Sequence, residues 1–381
     1  GSLNQRITAF RCQVAVSDPG CLNSPAAALR GAMLLDDEPD EAEFDFEGAH
    51  QLYRDLFGGV ESALTETDHL IIVPPADLLR LPFHALVTSE PESDSGKTDW
   101  LIRRHAISVL PSLASLRALR PETHSNAPSE DQGLGRLLGM GDPIIGTTGS
   151  VDCEAVRVAD LRSAAGFETD LMQNDATTGF ALAQVDALRA LPRLADAECE
   201  LTAIDAQFDQ GQSSIFLGED ATEDRIKTLN QSGALADYSV LVFATHGLTA
   251  GEAGASAPGL VLTPPDVASP ENDGLLTAAE IATLTLNARL VVLSACNTAA
   301  GESPDAEGMS GLARAFFHAG GQNLLVTHWS GYSAAAVEIS TGLFQELGAR
   351  PDQTHASALR RSMLAVLDDP AAGTYRKHPS Y

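Results

Sequence analysis

Positive charge is scarce in this chain: 24 basic residues stand against 52 acidic ones over 381 residues, a formal net charge of −28. That shortage excludes nucleic acid or an anionic membrane surface as a direct partner, because phosphate contacts need clustered Lys and Arg. Aromatic side chains are also few, at 5%. No run of about eighteen apolar residues occurs, which excludes a transmembrane helix. The five cysteines (Cys12, Cys21, Cys153, Cys199, Cys296) are odd in number, scattered and without CxxC spacing. That pattern argues against a zinc site or a disulfide framework and for a reducing compartment. No internal repeat of solenoid period is seen. No signal-peptide stretch follows Gly1-Ser2, so the expected location is cytoplasmic, with a natural start upstream.

What the chain does have is 44% hydrophobic residues, enough for a substantial core. Residues 1–44 are weakly patterned and end in an acidic run, Asp36–Glu41. They read as an N-terminal segment or linker, the remnant of an upstream region, because like charges repel and stay solvated. Oxygen ligands at calcium-loop spacing are missing from that run. From residue 45 onward strands and helices alternate, the signature of an α/β fold with a mostly parallel sheet. Strands are expected at 69–73, 106–110, 134–140, 213–217, 259–263 and 322–327. Helices are expected at 44–64, from Pro111-Ser112 onward, and at 197–208, 309–319, 333–347 and 354–367. Thr222 is predicted to cap a helix running to Leu229, and Thr277 with Glu280 to form a capping box.

Two apolar runs stand out. Ser239–Ala244 leads into Thr245-His246-Gly247, and Ala288–Leu293 leads into Ser294-Ala295-Cys296-Asn297. Runs of this kind are strands buried on both faces, and open α/β sheets place their sites beyond the carboxyl ends of such strands. One end carries an imidazole and the other a thiol. A thiol attacks as thiolate, and a neighbouring imidazole can take its proton. Gly247 lets backbone approach a substrate, so its amide and that of Cys296 are candidate oxyanion donors. A buried, inert Cys and a structural His remain open on spacing alone.

Ala244-Thr245-His246-Gly247 and Leu293-Ser294-Ala295-Cys296-Asn297-Thr298 together resemble the CHAT domain, a caspase-like cysteine peptidase family related to caspases, separases and gingipains. Leu70–Pro74, Leu81-Pro82-Phe83, Leu110-Pro111-Ser112, Gly141-Asp142-Pro143, Asp273–Leu276, Glu307–Phe316 and Thr327-His328-Trp329 resemble it in order. The likeness covers roughly 45–381. It implies a caspase-like, mostly parallel central sheet flanked by helices on both faces. Residues 45–235 would form an N-terminal pseudo-protease-like half and 236–381 the catalytic half.

The resemblance implies His246 as general base, Cys296 as nucleophile, and the Gly247 and Cys296 amides as the oxyanion hole. Peptide cleavage would run through an acyl-enzyme, with no metal or organic cofactor. Trp329, Ser330 and Gly331 become candidate substrate contacts, since an extended peptide can pair with a strand edge. The run Ser330-Gly331-Tyr332-Ser333 lacks the acidic residue the family usually carries there. Asp142 is a candidate selector of a basic residue before the cut, weighed against a turn-stabilising role. Implied partners are protein substrates, such as ones encoded nearby, and a regulatory repeat or sensor module, consistent with a regulated bacterial switch or defence protease. A silent caspase-like scaffold that binds proteins through the same cleft is the alternative, and a Cys-dependent acyl transferase or esterase shares the dyad.

Overall fold

The computed structural model describes residues 3–14, 44–75, 78–79, 81–90, 98–110, 112–113, 115, 133–146, 153, 182–194, 196–250, 255, 257–295, 311–327 and 333–369. Ten strands lie among them. Two form a separate parallel pair, β1 (His69–Ile72) with β2 (Ala106–Val109). Five form the central sheet: β3 (Leu137–Pro143), β4 (Ser213–Gly218), β5 (Val240–Ala244), β9 (Leu290–Ser294) and β10 (Leu324–Val326). The remaining three, β6 (Gly247–Leu248), β7 (Gly259–Val261) and β8 (Leu275–Thr277), make a small antiparallel sheet.

The central order is β10-β9-β5-β3-β4, and all four pairings are parallel. This is the mixed α/β architecture with a mostly parallel core sheet that the alternation predicted. Strands β3 and β4 lie before residue 236 and the other three after it, so one sheet is built from both stretches. The chain winds outward from β3 to β4, then crosses back to lay β5 on the other side of β3. That reversal opens a crevice at the carboxyl ends of β3 and β5, where sheets of this kind bind ligands.

Successive side chains of a strand face opposite ways, and both faces here are apolar. Leu241 and Phe243 of β5 join Leu138, Met140, Val291 and Leu293 on one face. Val240, Val242 and Ala244 join Leu137, Leu290 and Val292 on the other. Seven of the described helices matter here. Helices α1 (Leu3–Val14) and α2 (Phe46–Phe57) pack in the core around β1 and β2. Helices α3 (Asp196–Asp205), α4 (Glu223–Gln231), α5 (Gly311–Ala319), α6 (Ser333–Ala349) and α7 (His355–Asp368) pack on the central sheet. Ile226 of α4 and Phe316 of α5 cover the first face of the central sheet. Leu201 and Ile204 of α3, Phe344 of α6 and Ala358 of α7 cover the second. The predicted caps are present. Thr222 accepts from the Arg225 amide at 3.2 Å. Thr277 and Glu280 close a reciprocal capping box at 3.3 and 2.9 Å.

Several expectations are corrected. Residues 3–14, read as part of a weakly patterned segment or linker, form α1, and Ile7, Phe10 and Val14 are buried in an aromatic-rich core around β1 and β2. Predicted strand 259–263 is real but short, and it belongs to the antiparallel sheet rather than the central one. The reading against disulfides fails: Cys153 is bonded to Cys199, and Cys12 is also disulfide-bonded. Odd number and wide spacing hid a pairing made across 46 residues by tertiary contact. Most of the helix predicted from Pro111-Ser112, most of the loop stretch expected at 144–178, and the residues directly after Ala295 and Thr327 lie outside the described residues. Among the described residues no helix is long and apolar enough to cross a membrane.

Candidate active site

Strands β5 and β9 are hydrogen-bonded neighbours, and Ala244 pairs with Ser294. His246 and Cys296 each come two residues after that pair. The Thr245 amide extends the ladder by one bond, donating to the Ser294 carbonyl at 3.3 Å. The two chain segments therefore leave the sheet side by side, since adjacent strands are about 5 Å apart. Cys296 itself lies outside the described residues, as do Trp329, Ser330 and Gly331.

On the β5 side the geometry is complete. Thr245 is fully buried, and its hydroxyl donates to the Val261 carbonyl. The Val261 amide donates to the His246 carbonyl at 2.9 Å. The backbone on both sides of the imidazole is thus held by β7. His246 Nε2 lies 2.7 Å from the Pro192 carbonyl oxygen. A carbonyl only accepts, so Nε2 carries the hydrogen and the neutral ring presents a lone pair at Nδ1. Burial pushes the His246 pKa below the ordinary imidazole value, with the hydrogen bond to the Pro192 carbonyl acting against that shift. The ring is therefore an unprotonated base at neutral pH.

Gly247 pairs with Leu260. The preceding opposed pair, His246 with Val261, is hydrogen-bonded, and such pairs alternate in antiparallel ladders. Gly247 therefore occupies a position whose amide points away from β7, free of the ladder.

On the β9 side, the Ser294 hydroxyl donates to Glu200 Oε2 at 2.7 Å, and the Thr327 hydroxyl donates to the Ala295 carbonyl. The strand end is thus tied to α3 below and to the end of β10 beside it. Glu200 is 3% exposed. Burial raises its pKa, with hydrogen bonds from Ser294 and Ser340 acting against that shift. Its neighbour Cys199 carries the disulfide to Cys153.

Asp142 stands at the end of β3, the strand paired with β5, and its carboxylate is already engaged. Arg193 Nε donates to Oδ1 at 2.8 Å and Nη2 to Oδ2 at 2.5 Å. Arg193 also reaches Glu198 at 3.4 Å. Asp273 accepts from the Ala183 and Leu275 amides at 2.7 and 3.0 Å.

Three residues of the site escaped sequence reasoning. Pro192 and Arg193 sit in a connecting stretch with no periodic signal. Glu200 was findable: it falls on the same helical face as Ala197, Leu201 and Ile204, where a carboxylate needs explaining.

The CHAT domain family model matches residues 47–381. The chain belongs to the CHAT family. A search among curated proteins returned no significant match. Family membership agrees with the caspase-like arrangement of the central sheet and carries with it a peptidase-type fold.

Proposed function

We propose that this CHAT protein is a cysteine endopeptidase in which His246 and Cys296 form the catalytic dyad. The observation that carries the reading is the His246 ring: its Nε2 is spoken for by Pro192, so its basic nitrogen is left at the end of the strand beside the one that leads to Cys296. In the proposed reaction Nδ1 takes the thiol proton and the sulfur attacks the scissile carbonyl carbon. The resulting oxyanion is met by the Gly247 and Cys296 amides. Collapse of that intermediate breaks the C–N bond, and the imidazolium returns its proton to the departing amine. Water, deprotonated by the same ring, then hydrolyses the thioester and frees the acid. Neither metal nor organic cofactor enters these steps. The substrate is one or a few partner proteins, docked along the strand edge that continues into Trp329, Ser330 and Gly331.

The test compares the wild-type protein with Cys296→Ala and His246→Ala on a whole proteome, reading new protein N-termini by mass spectrometry. New termini with the wild type and none with either variant are expected. Equal cleavage by Cys296→Ala would end the proposal, and partner binding without any cleavage by the wild type would favour the silent scaffold.

A further inference from the structure

For His246 to hold one tautomer, the Pro192 carbonyl must stay on one ring nitrogen. Pro192 is only half-buried and belongs to no helix or strand. The residue after it is clamped. Arg193 grips Asp142 through two parallel hydrogen bonds of 2.8 and 2.5 Å. A forked guanidinium–carboxylate pair fixes direction as well as distance. Asp142 is 6% exposed, and a carboxylate so buried needs its cation. It also holds a φ of 46°, at the point where the β3–β4 register shifts. A non-glycine residue keeps that conformation only where its surroundings impose it.

The backbone beyond β3 lies directly against this stretch. Gly146 has a φ of 60°, and a Cβ there would come within 2.7 Å of the Leu191 carbonyl oxygen and 3.2 Å of the Arg193 amide. The Gly146 amide donates to the Arg189 carbonyl at 2.8 Å. The exit of β3 and residues 189–193 are therefore one fitted unit, ending at the imidazole.

We infer that the Asp142–Arg193 pair is a positioning device for His246, anchoring Pro192 so that its carbonyl retains the Nε2 hydrogen and leaves Nδ1 to face the thiol. The inference rests on the proposed dyad. It reassigns Asp142 from choosing a substrate side chain to orienting the base. Two other roles make different predictions. If the small core of Leu188 and Leu191 with Ile145, Leu248 and Val261 seats Pro192 unaided, the pair serves stability alone. If Asp142 takes a basic substrate side chain, Arg193 must give way during cleavage.

Arg193→Met alone strands a buried carboxylate, so the informative variant is Asp142→Asn with Arg193→Met, in which no buried charge is left unpaired and Asn tolerates the left-handed backbone. Histidine 15N NMR reads the His246 tautomer, and the rate of Cys296 alkylation by iodoacetamide reads the base. Expected are a single Nε2–H tautomer in the wild type, a mixture in the double variant, and alkylation at neutral pH slowed about tenfold or more. An unchanged tautomer and rate, with only a lower melting temperature, would overturn the inference. So would an unchanged tautomer with cleavage lost selectively after Lys and Arg, which would return Asp142 to substrate selection. His246→Ala is the control. If it leaves alkylation unchanged, the dyad reading fails, while the tautomer still decides whether the pair positions the ring.

Discussion

Among the described residues, two parallel β units are built from different materials. The central sheet is packed mainly with aliphatic residues, with one ring contact on each face, Phe243 with Phe316 and Phe208 with Phe344. The β1–β2 unit is packed with rings: Phe10, Phe44, Phe46 and Trp100 form one set of contacts, and Tyr53, Phe57 and Phe83 another. Slim aliphatic residues let helices lie close on both sides of a five-stranded sheet, so its strand ends converge at a reversal of winding and can carry chemistry. A two-stranded pair has no such reversal. Its carboxyl ends run into Pro74-Pro75 and Leu110-Pro111, and it needs bulky rings to fill one core. Helix α7 belongs to both: Ala358 enters the central core, while Met363, Leu364 and Leu367 pack on the aromatic one. Arg360 Nε ties it to the Ile102 carbonyl at 2.8 Å.

If only the central unit carries the chemistry, the two should respond differently to damage. The largest effect is expected at Phe243→Ala, which removes a fully buried ring between strand and helix. It should cost about 3–5 kcal/mol in urea unfolding and abolish Cys296 reactivity with it. Opening the Cys153–Cys199 bridge, which spans 46 residues, by Cys153→Ala is expected to cost about 4 kcal/mol on a loop-entropy basis. Trp100→Ala, in the ring-packed unit, should cost about 3 kcal/mol yet leave Cys296 alkylation under native conditions within about twofold. A large fall in alkylation there would erase the proposed division of labour. Glu200→Ala leaves the Ser294 hydroxyl without its acceptor. It should cost about 1–3 kcal/mol and slow alkylation, whereas Glu200→Gln retains both.

The smallest effect is in pH dependence. Burial lowers the His84 pKa to about 4. His246 is lowered in the same direction. Groups whose folded pKa lies below the unfolded value take up protons preferentially in the unfolded state. Their stabilising contribution is whole above about pH 6.5 and declines as pH falls toward their folded values. His84→Gln, in the ring-packed unit, should flatten the melting-temperature profile between about pH 6.5 and 4, without changing the pH dependence of Cys296 reactivity.

The central sheet was legible because its strands are continuous apolar runs, and a run such as Val240–Ala244 admits only a two-sided burial. The helices announced themselves through caps such as Thr222 and Thr277. The antiparallel strands β6 and β8 were not legible: at two and three residues they are too short to show a period, and pairing across the sheet defines them. Helix α1 was legible in principle, since Ile7, Phe10 and Val14 recur at i, i+3 and i+7, the spacing of one helical face. At the site, His246 and Gly247 were readable from a strand end followed by a small residue. Pro192 and Arg193 were not, because a carbonyl that orients a ring 54 residues away leaves no mark on local pattern. The Cys153–Cys199 bond is likewise a product of the fold rather than of spacing.

The central claim is that a neutral, oriented His246 serves as base for Cys296. The pH profile of Cys296 alkylation, measured in the wild type and in His246→Ala, tests it most directly. The account predicts that the wild-type thiol reacts at neutral pH, while the variant's reactivity rises only toward the ordinary thiol pKa of about 8.5. Superimposable profiles would contradict it.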